Sequence, residues 1–159
     1  MIKEPIGDRI DAKELNKMIS SNFDLFMSYC GKNKKEVHEL YEELTKRGYN
    51  IWIDKNKMIV GDTDELMKKG IDESELFMCC ATTNYCASES CLLEFKYAVH
   101  KKKKMIYILF EEFKGHDDRM NKLDAISFRF AGQKYYKHEN FDGIVKAIEE
   151  LRRVIYLNK

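Results

Sequence analysis

Glu94 falls in the stretch Tyr85-Cys86-Ala87-Ser88-Glu89-Ser90-Cys91-Leu92-Leu93-Glu94-Phe95, directly after the apolar run Leu76-Phe77-Met78-Cys79-Cys80-Ala81. A buried strand, a short polar loop and a helix with a carboxylate in its opening turns can present charge at a cleft. At about 100° per residue, Cys91, Leu92, Phe95, Ala98 and Val99 form an apolar stripe centred on Phe95. Glu94 lies about 100° from that centre, at the rim, with Ser90 one turn earlier on the same flank. The position equally suits a surface glutamate favoured by the helix dipole. A capping box does not explain it, because the residue three before it is Cys91 rather than Ser or Thr.

Other chemistry finds less support in the chain. Cys91 as a nucleophile would need a base, and no histidine stands near it in sequence. The five cysteines (Cys30, Cys79, Cys80, Cys86, Cys91) include no CxxC, and His38, His100, His116 and His138 lack zinc spacing, so reduced thiols and no metal are expected. Neither GxGxxG nor GxxxxGK[ST] occurs, which excludes the ordinary dinucleotide and P-loop enzymes. The tract His100-Lys101-Lys102-Lys103-Lys104 suits a solvated helix end complementing the dipole, with a phosphate or lipid patch as the other reading. Net charge is +1, from 28 basic and 27 acidic residues, so no nucleic-acid partner is expected. No apolar run approaches the ~20 residues of a membrane span, and residues 1–10 hold no signal core. A soluble, cytoplasmic protein is expected.

The elements that must position Glu94 follow from periodicity. A leader over residues 1–22, with a short helix over Asp11–Ser20, precedes a single domain over 23–159; that length suits one domain with a real core. Phe23–Met27 reads as a strand. Asn33 reads as an N-cap with Glu36 completing a capping box, and Val37, Leu40, Tyr41 and Leu44 share one helix face. Gly48 stops that helix. Asn50–Ile53 is the second strand, Asp54–Asp62 a polar loop, and Glu65–Lys69 a short helix that Gly70 ends. Leu76–Ala81, apolar throughout, is the third strand, Ser88–His100 a helix, and Met105–Phe110 the fourth strand. Beyond it, a short helix is expected near Arg119–Leu123 and a last strand at Ile126–Phe130 or Lys134–Tyr136. Ile144, Ile148, Leu151 and Ile155 mark the final helix. Strands without alternation, alternating with helices, imply a parallel sheet covered on both faces, an α/β fold. Ligands bind such sheets beyond the strands' carboxyl ends. Those ends feed Ser28–Lys32, Asp54–Gly61, Thr82–Tyr85 and Glu111-Glu112.

These residues resemble a known family. Phe23-Asp24-Leu25-Phe26-Met27-Ser28-Tyr29 resembles the opening strand of a TIR (Toll/interleukin-1 receptor) domain, (F/Y)DVFISY. Trp52-Ile53-Asp54 with Met58 and Gly61 resembles its second strand and BB loop. Ser74 matches the serine before the third strand. Tyr85, Ser88, Cys91, Leu92, Glu94 and Phe95 match Y-x-x-S-x-W-C-x-x-E-(L/F) apart from the Trp. The resemblance implies a flavodoxin-like three-layer fold with a five-stranded parallel sheet in the order 2-1-3-4-5. It implies one of two roles, both in immune or cell-death signalling. The first is NAD+ cleavage at the nicotinamide–ribose bond, with Glu94 as the catalytic carboxylate and Tyr29, Cys30, Trp52, Asp54, Ser90 and Cys91 lining or supporting the site. The second is a non-catalytic scaffold or adaptor that signals through homotypic TIR–TIR assembly. The resemblance also implies that active forms are assemblies, with the Asp54–Gly61 loop of one chain approaching its neighbour's site. NAD+ would be a substrate, and no cofactor is implied.

One carboxylate suffices for the first role. Nicotinamide in NAD+ is a pyridinium that leaves neutral, so it needs no general acid, unlike an ordinary sugar leaving group. The enzyme must stabilise an oxocarbenium-like ribose, which a carboxylate in a partly dry cleft can do. Water then gives ADP-ribose, and attack by the adenine gives a cyclic product. The chain departs from the family pattern at three points. Ser90 replaces the usual Trp, Cys30-Gly31 stands where several active relatives carry a basic residue, and Asp54–Gly61 lacks the proline typical of Toll-receptor and adaptor loops.

Overall fold

The computed structural model describes residues 22–53, 63–110 and 134–158. Its elements run β1 (Phe23–Ser28), a 3₁₀ turn (Gly31–Asn33), α1 (Lys34–Lys46), β2 (Ile51–Ile53), α2 (Thr63–Asp72), β3 (Ser74–Ala81), α3 (Thr83–Cys86), α4 (Glu89–His100), β4 (Lys104–Leu109), β5 (Tyr135–Lys137) and α5 (Phe141–Leu157). The strands form one sheet in the order β2-β1-β3-β4-β5. Every pairing is parallel. This is the order and architecture expected from the sequence. The last strand takes the second of its two expected positions. Residues 1–21 of the leader, the Asp54–Asp62 loop, the helix near Arg119–Leu123 and the segment Ile126–Phe130 lie outside the described residues.

Alternation along the strands divides the core into two layers. Leu25 and Met27 of β1, Leu76, Met78 and Cys80 of β3, and Ile106 and Ile108 of β4 pack with Val37, Leu40 and Leu44 of α1 and Ile144, Ala147 and Ile148 of α5. On the other face, Phe26, Phe77, Cys79 and Tyr107 pack with Ile71, Tyr85, Cys86, Cys91, Phe95 and Ala98. β1, β3 and β4 contribute to both layers; β3 is buried at all eight positions and reads as a continuous apolar run from Leu76 to Ala81.

Three local expectations are corrected. Asn33 occupies the N-cap position of α1 but makes no side-chain cap bond, so no capping box forms there. The 3₁₀ turn ahead of α1 sets its entry, and the Asn33 Oδ1 instead accepts from Asn84 Nδ2 at 3.4 Å. The segment Thr82–Tyr85, expected as loop, holds α3, capped by the Thr82 hydroxyl accepting from the Tyr85 N–H at 2.9 Å. Gly70 does not end α2, which continues to Asp72. Gly48, by contrast, stops α1 at φ +99°, as expected of a glycine in the left-handed region.

Gly70 serves the packing of Trp52. Trp52, Phe26 and Phe77 are register partners across β2, β1 and β3. Their rings stack with centroids 4.5 and 5.5 Å apart, each pair inclined by 8°. A Cβ on Gly70 would stand 2.6 Å from Trp52 Cε2. Alanine would gain about 1 kcal/mol of helix propensity. The overpacking would cost about 1–3 kcal/mol. Gly70→Ala is therefore expected to lower stability by up to roughly 2 kcal/mol in urea unfolding followed by Trp52 fluorescence. An unchanged or raised midpoint would show that the indole can move aside.

At the opposite edge from the β1 carboxyl end, the sheet is tied to α5 through a buried guanidinium. Arg152, fully buried, bonds Asp24 Oδ1 at 2.8 Å, and its Nε bonds Glu75 Oε2 at 3.1 Å. Glu149 Oε2 lies 4.0 Å away. Asp24 also accepts the Asn50 N–H at 2.7 Å. Burial raises the Glu149 carboxyl above its ordinary value; Arg152 and Tyr49 oppose the shift, and the Asp24 charge adds to it. A carboxyl raised on folding stabilises the fold fully only below its unfolded pKa, and that contribution is lost as pH rises through the folded value. Glu149→Gln, which cannot ionise, is accordingly expected to melt above the wild type at neutral pH. The gap should close as pH falls toward the ordinary glutamate value of 4.5. A variant less stable at neutral pH would mean that attraction to Arg152 outweighs burial.

Candidate functional site

The end of β1 brings a hydroxyl to the carboxylate of α4. Ser28 shares the parity of Phe26 and projects into the layer beneath α4. There its Oγ donates to Glu94 Oε2 at 3.0 Å. Ser28 is fully buried and Glu94 is 6 % exposed. Glu94 is thus a buried carboxylate rather than one at the rim of the helix. On the other side of Ser28 Oγ, the Tyr85 phenol lies 2.7 Å away. Tyr85 reaches this point from α3, held by its Thr82 cap, and is itself fully buried.

Helix α4 is set in place at its start. The Ser88 side chain caps it, accepting from the Cys91 N–H at 3.2 Å. The Cys91 thiol donates to the Tyr29 carbonyl at 3.5 Å, which ties the first turn of α4 to the end of β1. Phe95, one residue beyond Glu94, packs edge-on against Phe77 at 6.4 Å. These contacts hold Glu94 over the carboxyl end of β1.

The electrostatics around Glu94 follow from burial. Burial pushes both the Tyr85 phenol and the Cys79 thiol well above their ordinary values, and the nearby Glu94 adds to each shift. Contact with Tyr85 draws the Cys79 value partly back. Both groups are neutral at physiological pH. The carboxylate therefore sits among hydroxyl and thiol dipoles from which bulk water is largely excluded, a setting in which a fixed charge acts strongly on a neighbour.

The other expected site residues divide by layer. Cys91 is buried in the layer of Glu94, and Cys30 and Trp52, both half-buried, pack against it. The Tyr29 ring lies in the opposite layer with Leu25 and Met27, edge-on to His38 at 6.0 Å. Its backbone carbonyl accepts from the Cys91 thiol. Ser90 is exposed, whereas Glu94 on the same flank is buried. Asp54 lies outside the described residues. Of the lysine tract, Lys103 donates to the Ser74 carbonyl at 2.7 Å and Lys101 pairs with Asp72 at 3.8 Å, contacts that fasten the segment after α4 to the start of β3 and the end of α2.

Ser28 and Tyr85 enter the candidate site from outside the expected set. Strand parity carried the signal for Ser28, two residues after the core residue Phe26. A signal for Tyr85 lay in Thr82, an N-cap type placed three residues before it. Among the described residues, no group of three or more His, Cys, Asp or Glu side chains could hold a metal ion. No helix among them is long and apolar enough to cross a membrane.

Comparison with known proteins gives concordant results. The family model described as TIR domain matches residues 25–145. No curated protein sequence matches the chain. Among solved structures, the fold is similar to the TIR domain of the Toll-related receptor TRR-2 from Hydra magnipapillata, with TM-score 0.63, 12 % identity, and coverage of 80 % of this chain and 98 % of that one. It is similar to the TIR domains of the activated Roq1 resistosome, a structure directly recognizing the pathogen effector XopQ (TM-score 0.56, 20 % identity, 84 % and 99 % covered). It is also similar to a metazoan TIR-STING receptor from C. gigas (TM-score 0.59, 18 % identity, 80 % and 40 % covered).

Proposed function

The chain belongs to the TIR domain family, and from that premise we propose that it is an NAD+ glycohydrolase with Glu94 as its catalytic carboxylate. The observation that carries this reading is a buried glutamate at the carboxyl end of β1, accepting a hydrogen bond from Ser28. In the reaction, the bond between ribose C1′ and the nicotinamide nitrogen breaks, and its electron pair leaves with nicotinamide and neutralises the pyridinium. Positive charge develops on the ribose, where Glu94 stabilises it. Water adds to C1′ and releases its proton to give ADP-ribose; an adenine nitrogen in its place gives the cyclic product. Cys30, Trp52 and Cys91 support the Glu94 layer. Tyr29 contributes through its backbone. The Asp54–Gly61 loop is the proposed contact with a neighbouring copy.

A second reading, a non-catalytic scaffold working through homotypic assembly, is favoured by Ser90. At the position of the family's Trp, this chain presents a small, exposed hydroxyl. The deciding experiment incubates concentrated protein with NAD+ and measures free nicotinamide. Release that depends on Glu94 supports the enzyme. Self-association in light scattering with no release, even under crowding, supports the scaffold.

A further inference from the structure

Glu94 is reached by a buried chain of donors whose direction is fixed by counting protons. An ionised carboxylate only accepts, so the single Ser28 proton goes to Glu94 Oε2 at 3.0 Å. Ser28 Oγ then has only lone pairs to offer Tyr85, 2.7 Å away, and the phenol must be the donor. Burial keeps that phenol protonated. It comes from α3, a different element, anchored by the Thr82 cap. Ser28 and Tyr85 are fully buried, so water does not compete for these bonds. The titratable Tyr85 and Cys79 stand close enough to the carboxylate for its charge to raise both.

We propose that Ser28 and Tyr85 are positioning residues for Glu94: the chain Tyr85 Oη–H to Ser28 Oγ–H to Glu94 Oε2 fixes the carboxylate's orientation and holds it in its anionic, accepting form. The catalytic consequence rests on the glycohydrolase reading; the effect on the carboxylate does not. Without Ser28, Glu94 loses a donor that favours its charged form, so its titration moves to higher pH. Without the Tyr85 hydroxyl, Ser28 loses the partner that commits its proton to Glu94. In this chain of donors Tyr85 acts through Ser28.

The test follows the Glu94 carboxyl carbon by NMR in full-length ¹³C-glutamate-labelled protein, assigned by its absence in Glu94→Gln. Ser28→Ala is expected to raise the Glu94 titration midpoint by about one pH unit. Tyr85→Phe should raise it by less, and should add nothing in the Ser28→Ala background. The acid limb of the rate profile for nicotinamide release should move with the midpoint, with kcat reduced up to about tenfold at pH values on that limb and KM within about twofold. Ser28→Thr, which keeps the hydroxyl, should restore the wild-type midpoint. An unchanged midpoint in both Ser28→Ala and Tyr85→Phe, or additive effects in the double variant, would overturn the chain. If Ser28→Ala does not fold, the presence or absence of the Tyr85→Phe shift decides. Wild-type protein that shows these shifts but releases no nicotinamide would defeat the enzyme reading and leave the donor chain standing.

Discussion

Arg152→Ala is expected to be the most destabilising single substitution in the domain's charged core, at about 3–5 kcal/mol. The guanidinium is fully buried and bridges Asp24 on β1 and Glu75 on β3 at 2.8 and 3.1 Å. Both carboxylates are buried as well. Removing the cation leaves two like charges in the interior with their counter-charge gone, and the desolvation cost already incurred is then unopposed. A domain of this size is stable by about 5–15 kcal/mol, so the loss is a large fraction of the total. In thermal unfolding it should lower Tm by roughly 10 °C or more. Arg152→Lys should fall between, because an ammonium point charge cannot span both carboxylates as the planar fork does. The pH dependence has a definite sign. Burial already raises Asp24 above its ordinary value against the pull of Asn50 and Arg152. In Arg152→Ala that opposing attraction disappears, Asp24 rises further, and protonating it relieves the strain. The variant's deficit should therefore shrink as pH falls through the folded Asp24 value. Urea unfolding at two pH values checks both claims. A loss below about 1 kcal/mol at neutral pH would mean that water reaches these carboxylates.

Arg152 also shows where sequence reading stops short. Ile144 and Ile148 mark the buried face of α5, and Arg152 follows at the same four-residue spacing, in line with the core. Periodicity alone reads that spacing as apolar and passes over the one charged residue on it, because the partners that make its burial tolerable stand on β1 and β3, far away in sequence. Glu94 repeats the lesson. A helical wheel puts it at the rim of its stripe, yet its acceptor oxygen is engaged by Ser28, 66 residues earlier. The sheet order was legible because strand parity, helix period and apolar runs are local, and β3 in particular is apolar from Leu76 to Ala81. Gly70 was legible as a glycine but not as the cradle of Trp52, since a close approach is a tertiary fact. The short α3 spans too few residues to show any period, and only its cap type could have announced it. The motif resemblance located the catalytic candidate; the buried hydroxyls that hold it became visible only when the strands were laid side by side.

Glu94→Gln should reduce nicotinamide release by about 10³-fold or more while leaving the fold intact. The magnitude follows from charge. A carboxylate about 4 Å from a developing unit positive charge, at the effective dielectric of a protein site, contributes about 4 kcal/mol. That energy corresponds to about three powers of ten in rate. Glutamine keeps the shape and supplies a carbonyl oxygen for the Ser28 proton, so the bond seen at 3.0 Å survives in neutral form. Melting should be unchanged or slightly higher, because a neutral amide is easier to bury at a position 6 % exposed. Loss of rate with retained stability separates a charge effect from a folding defect. Glu94→Asp provides the geometric control: the charge is kept, but the carboxylate withdraws by one methylene from Ser28. Its rate should lie between those of Gln and wild type, mainly through kcat, since the interaction it weakens develops in the transition state. Equal nicotinamide release by wild type and Glu94→Gln would remove Glu94 from the chemistry and assign whatever cleavage remains to another group.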